Sequence, residues 1–382
     1  MAGSTKGDCM KSLFSQSCLL IARCVFRPWL PAVNCRVRTW LTGAVLVGSS
    51  VVMPAQAGGI ADQPNVELFI DELVEKEGFD RQALKSLFEQ VKTQDRIIGL
   101  MNRPAERSLA WWEYRDRFIN NLMIQRGIEF WQQNREALDK AEKTYGIPAC
   151  VITGILGVET HYGRFPGSFR VVDALSTLGF NYPRRAAYFQ KQLKSFLILS
   201  REQGFDPLSL TGSYAGAMGI PQFMPSSYRE YAVDFDNSGQ VDIWKSPADA
   251  IGSVASYLNR HGWVKDQPVA TRAKVKGKRY HDILDDNSRP GTLMSRAVEA
   301  GWTALQDIPA SIMVRGLKLQ GKEAEEYWLT MANFHVITRY NHSDHYAMAV
   351  YQLGKQLQSR YQEQLQKESQ NSLQTTRDNP AS

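Results

Sequence analysis

The sequence predicts an α+β fold: a mainly helical body with an N-terminal helical region and a small α+β insertion towards the C-terminus. Three observations predict it. From Asn65 to Tyr145 apolar residues recur at spacings of three and four: Leu68, Leu73 and Val74, then Leu84, Leu87, Phe88 and Val91, then Trp111, Trp112, Phe118, Ile119 and Leu122. After Trp263 the period changes, because Val269, Thr271, Ala273 and Val275 alternate as a strand does. Strand-like pieces recur at 312–319 and 327–330, with a short helical stretch at 292–300 between the first strand and these. Helical text then returns at Asn333 and closes with a helix over 346–362. At about 100–200 residues per domain, 382 residues are enough for two or three domains.

These changes divide the chain into a leader at 1–57, an N-terminal helical region at 58–147, a central core at 148–263, the insertion at 264–330, a return to the core at 331–362, and a tail at 363–382. The tail is polar and rich in Gln, Ser and Asn, and is expected to be disordered.

In the leader, Arg36 and Arg38 precede a short apolar stretch from Trp40 to Met53 and an Ala55-Gln-Ala57 exit, a secretory signal pattern with cleavage after Ala57. A membrane-spanning helix is the competing reading, but the apolar stretch is shorter than the ~20 residues a span needs. Residues 1–35 do not fit in front of such a signal: they are an unusually long leader, or the true start lies downstream. The leader holds six cations against Asp8, so it carries +5 of the formal charge of +6. The remainder is close to neutral, and overall charge makes no case for a nucleic-acid partner. Four of the five cysteines, Cys9, Cys18, Cys24 and Cys35, also lie in the leader. Cys150 alone remains, too few for an internal disulfide, and reads as a small hydrophobe in an apolar run.

That run is Pro148-Ala-Cys-Val-Ile-Thr-Gly-Ile-Leu-Gly-Val-Glu-Thr-His-Tyr-Gly163, and its single carboxylate is Glu159. Val151, Ile155 and Val158 share a helix face, with Glu159 beside it near the helix end. Desolvation there would raise the pKa and make Glu159 a proton donor near neutral pH; the competing reading is a helix-end Glu in water. A second stretch, Gly212-Ser-Tyr-Ala-Gly-Ala-Met-Gly-Ile-Pro-Gln-Phe-Met-Pro-Ser-Ser-Tyr228, is dense in small residues that let backbone and ligand approach closely.

Together, these stretches resemble the B-type lytic murein transglycosylases, enzymes that cleave peptidoglycan glycan strands. The resemblance extends through Asp249-Ala-Ile-Gly-Ser-Val-Ala-Ser-Tyr257, His261-Gly-Trp263 and Arg339-Tyr-Asn-His-Ser-Asp-His-Tyr-Ala347, covering about residues 62 to 358. It implies a lysozyme-like core. It also implies that Glu159 cleaves the β-1,4 bond between N-acetylmuramic acid and N-acetylglucosamine, first as acid, then as base towards the muramoyl C6 hydroxyl, leaving a 1,6-anhydro end. Ser213 and Gln222 match family positions that hydrogen-bond substrate. Tyr114, Tyr257, Tyr340 and Asn341 match positions lining the groove, while Trp111 and Trp112 read as core.

Arg184 and Arg185 would fall in the first turn of a helix over 186–203 that Pro183 is placed to start, where cations oppose the helix dipole. They are read either as a clamp on a lactyl or peptide carboxylate or as two solvated arginines. The segment 234–249 matches a calcium loop at Asp234, Asp236, Ser238, Gln240 and Asp242, with the turn glycine Gly239. Lys245 stands where a bidentate Glu is expected, so Asp249 is the nearest acid able to close the shell. A structural Ca2+ and a plain polar turn are both open, and no cofactor is required for the chemistry.

The six histidines lack metal-ligand spacing, and His161, His342 and His345 read as polar groove or surface residues. Two-carboxylate glycosidases need a partner acid. None is paired with Glu159 by motif: Asp173 reads as the cap of a helix beginning at Ala174, and Asp206 as a turn residue before Pro207. A goose-type lysozyme-like hydrolase and a non-catalytic glycan-binding scaffold are the rival functions. The expected setting is the periplasm, with no lipid-anchor cysteine beside Gly58 and Gly59. The expected partners are peptidoglycan glycan strands and cell-wall synthesis or remodelling proteins, with the enzyme a monomer.

Overall fold

A computed structural model of the protein describes residues 60–102, 109–284 and 289–378; the leader and its expected signal lie outside the described residues. The N-terminal region is helical, as read: α1 (Pro64–Glu77), α2 (Arg81–Glu89), α3 (Asp95–Asn102), α4 (Trp111–Phe118), α5 (Asn121–Gln133) and α6 (Arg135–Tyr145). Local chemistry sets their ends. Asp80 caps α2 through Ala83 N at 2.7 Å, Asn120 caps α5 through Met123 N at 3.1 Å, and left-handed Gly78 and Gly146 close α1 and α6. One detail differs from the sequence reading. Leu68 and Leu122 are exposed, because the buried face of α1 runs through Val66, Phe69, Ile70 and Leu73, and that of α5 through Met123, Gly127 and Phe130.

The centre of the core is α7 (Ala149–Thr160), every residue of which is buried. α14 (Asp344–Asp378) lies along it at very short range. A Cβ on Gly154 would stand 2.6 Å from the Val350 carbonyl oxygen, and one on Gly354 would stand 2.5 Å from that of Cys150. Cys150 is itself buried, and burial pushes its thiol up to about 11, as befits a packed hydrophobe.

The strands β1 (Phe169–Arg170) and β2 (Thr211–Gly212) form a small antiparallel ribbon. Between them lie α8 (Val171–Asn181) and α9 (Ala186–Gln203), joined by a 3-10 turn, Pro183–Arg185. Pro183 therefore opens that turn, and α9 itself starts at Ala186. After β2 come α10 (Pro225–Tyr231) and α11 (Pro247–Arg260).

The C-terminal sheet contains β3 (Ala270–Val275), β4 (Thr292–Leu293), β5 (Trp302–Ala304), β6 (Met313–Gln320) and β7 (Glu325–Thr330), with α12 (Met294–Glu299) after β4. Its order is β4-β6-β7-β3-β5, antiparallel throughout; Thr330 stands opposite Ala270 on one side and Arg315 on the other. β4 and β5 escape the sequence pattern because two or three residues cannot display an alternation. The sheet has its own small core around Met294, Trp302, Val314 and Leu329.

Helical structure resumes in α13 (Ala332–Tyr340) and α14. α14 overruns its expected end at Gln362, so 363–378, expected to be disordered, is helix. The tract 355–379 has neither Gly nor Pro, is rich in helix-forming Gln, Glu, Lys and Arg, and carries bonds between Ser359 and Glu363 at 3.2 Å and Gln364 and Glu368 at 3.1 Å.

Candidate active site

α7 stops after Thr160 because His161, Tyr162 and Gly163 all take positive φ, at 50°, 62° and 83°. Two of these are not glycine, so the turn has to be held from outside. His161 N and Tyr162 N bond to Gly157 O and Leu156 O at 3.0 Å each. Thr160 Oγ1 accepts Gly163 N at 2.9 Å and donates to Ile220 O at 2.8 Å, which ties the helix end to the small-residue loop.

Glu159, one residue earlier, is only 7% exposed. Its Oε1 accepts the hydroxyl of Tyr346, from the first turn of α14, at 2.7 Å. Burial pushes the carboxyl up to about 7, against the opposing pull of the Tyr346 bond. Tyr346 stacks on Tyr340 with ring planes 9° apart. Burial and the neighbouring charge of Glu159 raise the hydroxyl pKa of Tyr340, Tyr346 and Tyr114, so all three stay neutral. Tyr114 packs against Trp111, Phe118 and His345, and neither its hydroxyl nor Asn341 Oδ1, both buried, has a hydrogen-bond partner among the described residues. Glu159 is thus a neutral-pH carboxylic acid in an aromatic cage.

The loop from Gly212 to Phe223 builds the adjoining wall. Ser213 Oγ accepts Ala215 N at 3.3 Å and Ala217 N at 3.0 Å, which shapes the turn and leaves its O–H to donate. Gln222 is left-handed, φ 54°, and its Nε2 donates to Pro166 O and Gly219 O, both at 2.9 Å. In Gln222, expected to hydrogen-bond substrate, the amide nitrogen therefore organises the loop. Tyr340 OH donates to Pro221 O at 2.5 Å, and Tyr257 OH to Arg339 O at 2.6 Å; the Tyr257 ring stacks on His261.

Neither rival carboxylate is idle. Asp173 is not the cap of a helix starting at Ala174: α8 starts at Val171, and Asp173 in its first turn accepts Arg170 Nε at 2.8 Å and Lys92 N at 3.0 Å. Asp206 accepts Leu208 N at 2.9 Å, as a turn residue does.

In the acidic loop, one oxygen each of Asp234, Asp236 and Asp249 lies within 4.8 Å of the others. Asp249, wholly buried in the first turn of α11, takes Phe235 N at 2.7 Å on Oδ1 and Asp242 N at 2.7 Å on Oδ2. Burial pushes its carboxyl up. The Ser246 hydroxyl bonds Asp236 Oδ2 at 2.6 Å and holds that carboxyl down. Asp242 Oδ1 instead accepts Trp244 N and Lys245 N, while Ser238 Oγ donates to Gln240 O at 3.1 Å. Three carboxylates with a hydroxyl and carbonyls nearby are the hard oxygen donors a calcium ion takes.

The model of the transglycosylase SLT domain family matches residues 61–355. The chain belongs to that family. It is 42% identical over 346 residues, 88% of this chain and 94% of the relative, to membrane-bound lytic murein transglycosylase B of Escherichia coli strain K12. It is similar to the catenated lytic transglycosylase SltB1 of Pseudomonas aeruginosa, with 47% identity, a TM-score of 0.76, and coverage of 79% of this chain and 99% of that one. It is also similar to the Escherichia coli lytic transglycosylase Slt35 solved in complex with calcium, with 44% identity, a TM-score of 0.74, and coverage of 80% and 96%. The protein is a lytic transglycosylase that acts on peptidoglycan, with a lysozyme-like fold.

In this transglycosylase Arg184 is exposed, and Arg185 lies over the rings of Tyr188 and Phe189 at 4.3 and 5.3 Å, packed on α9. Sequence reasoning missed Tyr346. It stands 187 residues from Glu159, and a tyrosine in the first turn of a helix carries no periodic signal; its place in the motif ending at Ala347 was the one available hint. Among the described residues no helix is long and apolar enough to cross a membrane.

Proposed function

We propose that Glu159 alone serves as acid and then as base. The observation that carries this reading is a buried carboxyl, held by Tyr346, with its pKa near 7. Protonated Glu159 donates to the glycosidic oxygen between N-acetylmuramic acid and N-acetylglucosamine, and the C1–O bond breaks as the ring becomes oxocarbenium-like. The resulting carboxylate, steadied by the Tyr346 hydroxyl, takes the proton of the muramoyl C6 hydroxyl. The C6 oxygen then bonds to C1, and a 1,6-anhydro end forms. Acid–base help of this kind contributes ~10²–10⁴-fold, and attack from within the same ring supplies much of the remainder by proximity.

Tyr114 OH and Asn341 Oδ1, buried without partners among the described residues, suit hydrogen bonds to sugar hydroxyls and acetamido groups. Ser213 O–H, the Gln222 amide oxygen and the rings of Tyr257 and Tyr340 would contribute further contacts to the sugar. Arg184, exposed, and Arg185, held over Tyr188, would meet substrate carboxylates at the periphery. Ca2+ would be held by Asp234, Asp236 and Asp249, with Ser238, Gln240 and Asp242 completing the shell, and would cross-link the loop to α11. The signal pattern at 36–57 supports a periplasmic setting, where glycan strands are the partner.

Mass spectrometry of digested sacculi tests the chemistry. Products one water lighter than lysozyme products, without reducing ends, are expected; reducing muramic acid ends would overturn the reading. Glu159→Gln should keep glycan binding and lose at least ~10²-fold in cleavage rate.

A further inference from the structure

The first turn of α14 is clamped on three sides. Tyr346 bonds Glu159 on α7. His345 packs on Trp111 and Tyr114 of α4, with ring centroids 5.7 and 5.6 Å apart. Asp344, the first residue of the helix, takes both arms of Arg315 from β6: Nη1 to Oδ1 at 2.9 Å and Nη2 to Oδ2 at 2.6 Å. The Arg315 side chain is 2% exposed and that of Asp344 29%. A guanidinium so deeply buried needs its carboxylate, and the bidentate fork allows essentially one arrangement of the pair. Arg315 is fixed in turn by the sheet, where it stands opposite Thr330 of β7. Tyr351 OH, bonded to Ala270 O at 2.7 Å, gives the same helix a second tie to the sheet. Only His345 separates Asp344 from Tyr346, so a shift at the helix start moves the tyrosine hydroxyl with it.

We infer that the Arg315–Asp344 pair positions the catalytic acid: by fixing the start of α14 it sets the hydrogen bond from Tyr346 to Glu159, and so makes the C-terminal sheet part of the active-site framework. Arg315 is a positioning residue and touches no reacting atom. This rests on the reading of Glu159 as the acid and base. The titratable groups around that carboxyl are Tyr346 from α14, Tyr340 from α13 and Tyr114 from α4; His161 follows on its own chain with Arg126 of α5 acting on it, and His345 sits behind Tyr114. Of these, the Tyr346 bond is the one that favours the ionised carboxylate. Loosening it raises the acid's pKa, so the alkaline limb of kcat/KM against pH moves to higher pH.

A double-mutant cycle on the full chain tests this, with Arg315→Met, Tyr346→Phe and the pair of changes together. Arg315→Met should lower kcat about tenfold with KM nearly unchanged, the loss expected for one hydrogen bond to a charged group. It should also move the alkaline limb in the same direction as Tyr346→Phe. In the Tyr346→Phe background it should change kcat by less than about twofold, because the coupled bond is already gone. Arg315→Lys, which keeps the charge facing Asp344, should recover part of the loss, and it replaces Arg315→Met in the cycle if the latter does not fold. A lowered Tm with an unchanged kcat and pH profile would overturn the inference, as would fully multiplicative losses in the double variant. An unmoved profile in Tyr346→Phe would also overturn it, whereas failure of the underlying reading looks different: Glu159→Gln would then retain activity.

Discussion

At the scale of single residues, the role proposed for Glu159 couples catalysis to stability. Its carboxyl lies near 7 in the folded protein against a reference of 4.5, so the native state binds more protons than the unfolded chain between those values. Stability contributed at this site is full below about pH 4.5, falls as pH rises, and has been lost above about pH 7. Glu159→Gln removes the titration. Its unfolding free energy should match that of the wild type at acid pH and exceed it above neutrality by up to about 3 kcal/mol, the equivalent of the raised pKa. Denaturant melts at several pH values check the sign; a variant equally stable at all of them would mean the carboxyl is solvated. Glu159 could be read from the sequence because one carboxylate ending an apolar run is a local pattern. Tyr346 could not, since the bond spans 187 residues and depends on where α14 docks. Gln222 was recognised as important, but its work on Pro166 and Gly219 follows from a left-handed backbone that composition does not reveal.

At the scale of elements, α7 and α14 approach closely because each sets a glycine against the other's backbone, Gly154 against Val350 and Gly354 against Cys150. Gly154→Ala would place a methyl 2.6 Å from the Val350 carbonyl, a rigid backbone atom. Overpacking of this kind should cost about 1–3 kcal/mol, and it should also disturb the Tyr346 bond one turn away, so Tm and kcat should fall together. The span of α9 was legible because eighteen residues of helical pattern run to a glycine cap, but Pro183, expected to start the helix, opens a separate 3-10 turn before it. The end of α14 was not: the polar composition of 363–378 fits both a disordered tail and an exposed helix, and it is the absence of breakers that favours helix. The acidic loop is an element in the same sense. Adding Ca2+ to chelator-treated protein should raise Tm through binding to the folded state, and Asp249→Asn should abolish that shift. Saturating Ca2+ without any shift would leave a plain polar turn.

At the scale of the whole molecule, the sheet depends on the helical body. Its separate core holds nine buried apolar residues, among them Ala273, Ala297 and Ala300, which bury little area each. A segment of this size cannot offset its own chain entropy from so small a core. The remaining stabilisation comes from outside it: the packing of Leu317, Leu319 and Trp328 in the main core, Arg315 on Asp344, Tyr351 on Ala270, and the Asn333 side chain on the backbone of Val264 and Gln267 at 2.8–2.9 Å. These ties run to α13 and α14, the helices that deliver Tyr340 and Tyr346 to Glu159, so losing the sheet should also loosen the acid. Trp302 is buried in the sheet core and Trp111 in the helical core, which provides one fluorescent probe in each. Variants keeping only one of these two tryptophans as the reporter should melt at the same midpoint, coincident with far-ultraviolet circular dichroism, because the sheet has no stable folded state of its own. A Trp302 transition well above that of Trp111 would show the sheet to be an independent domain.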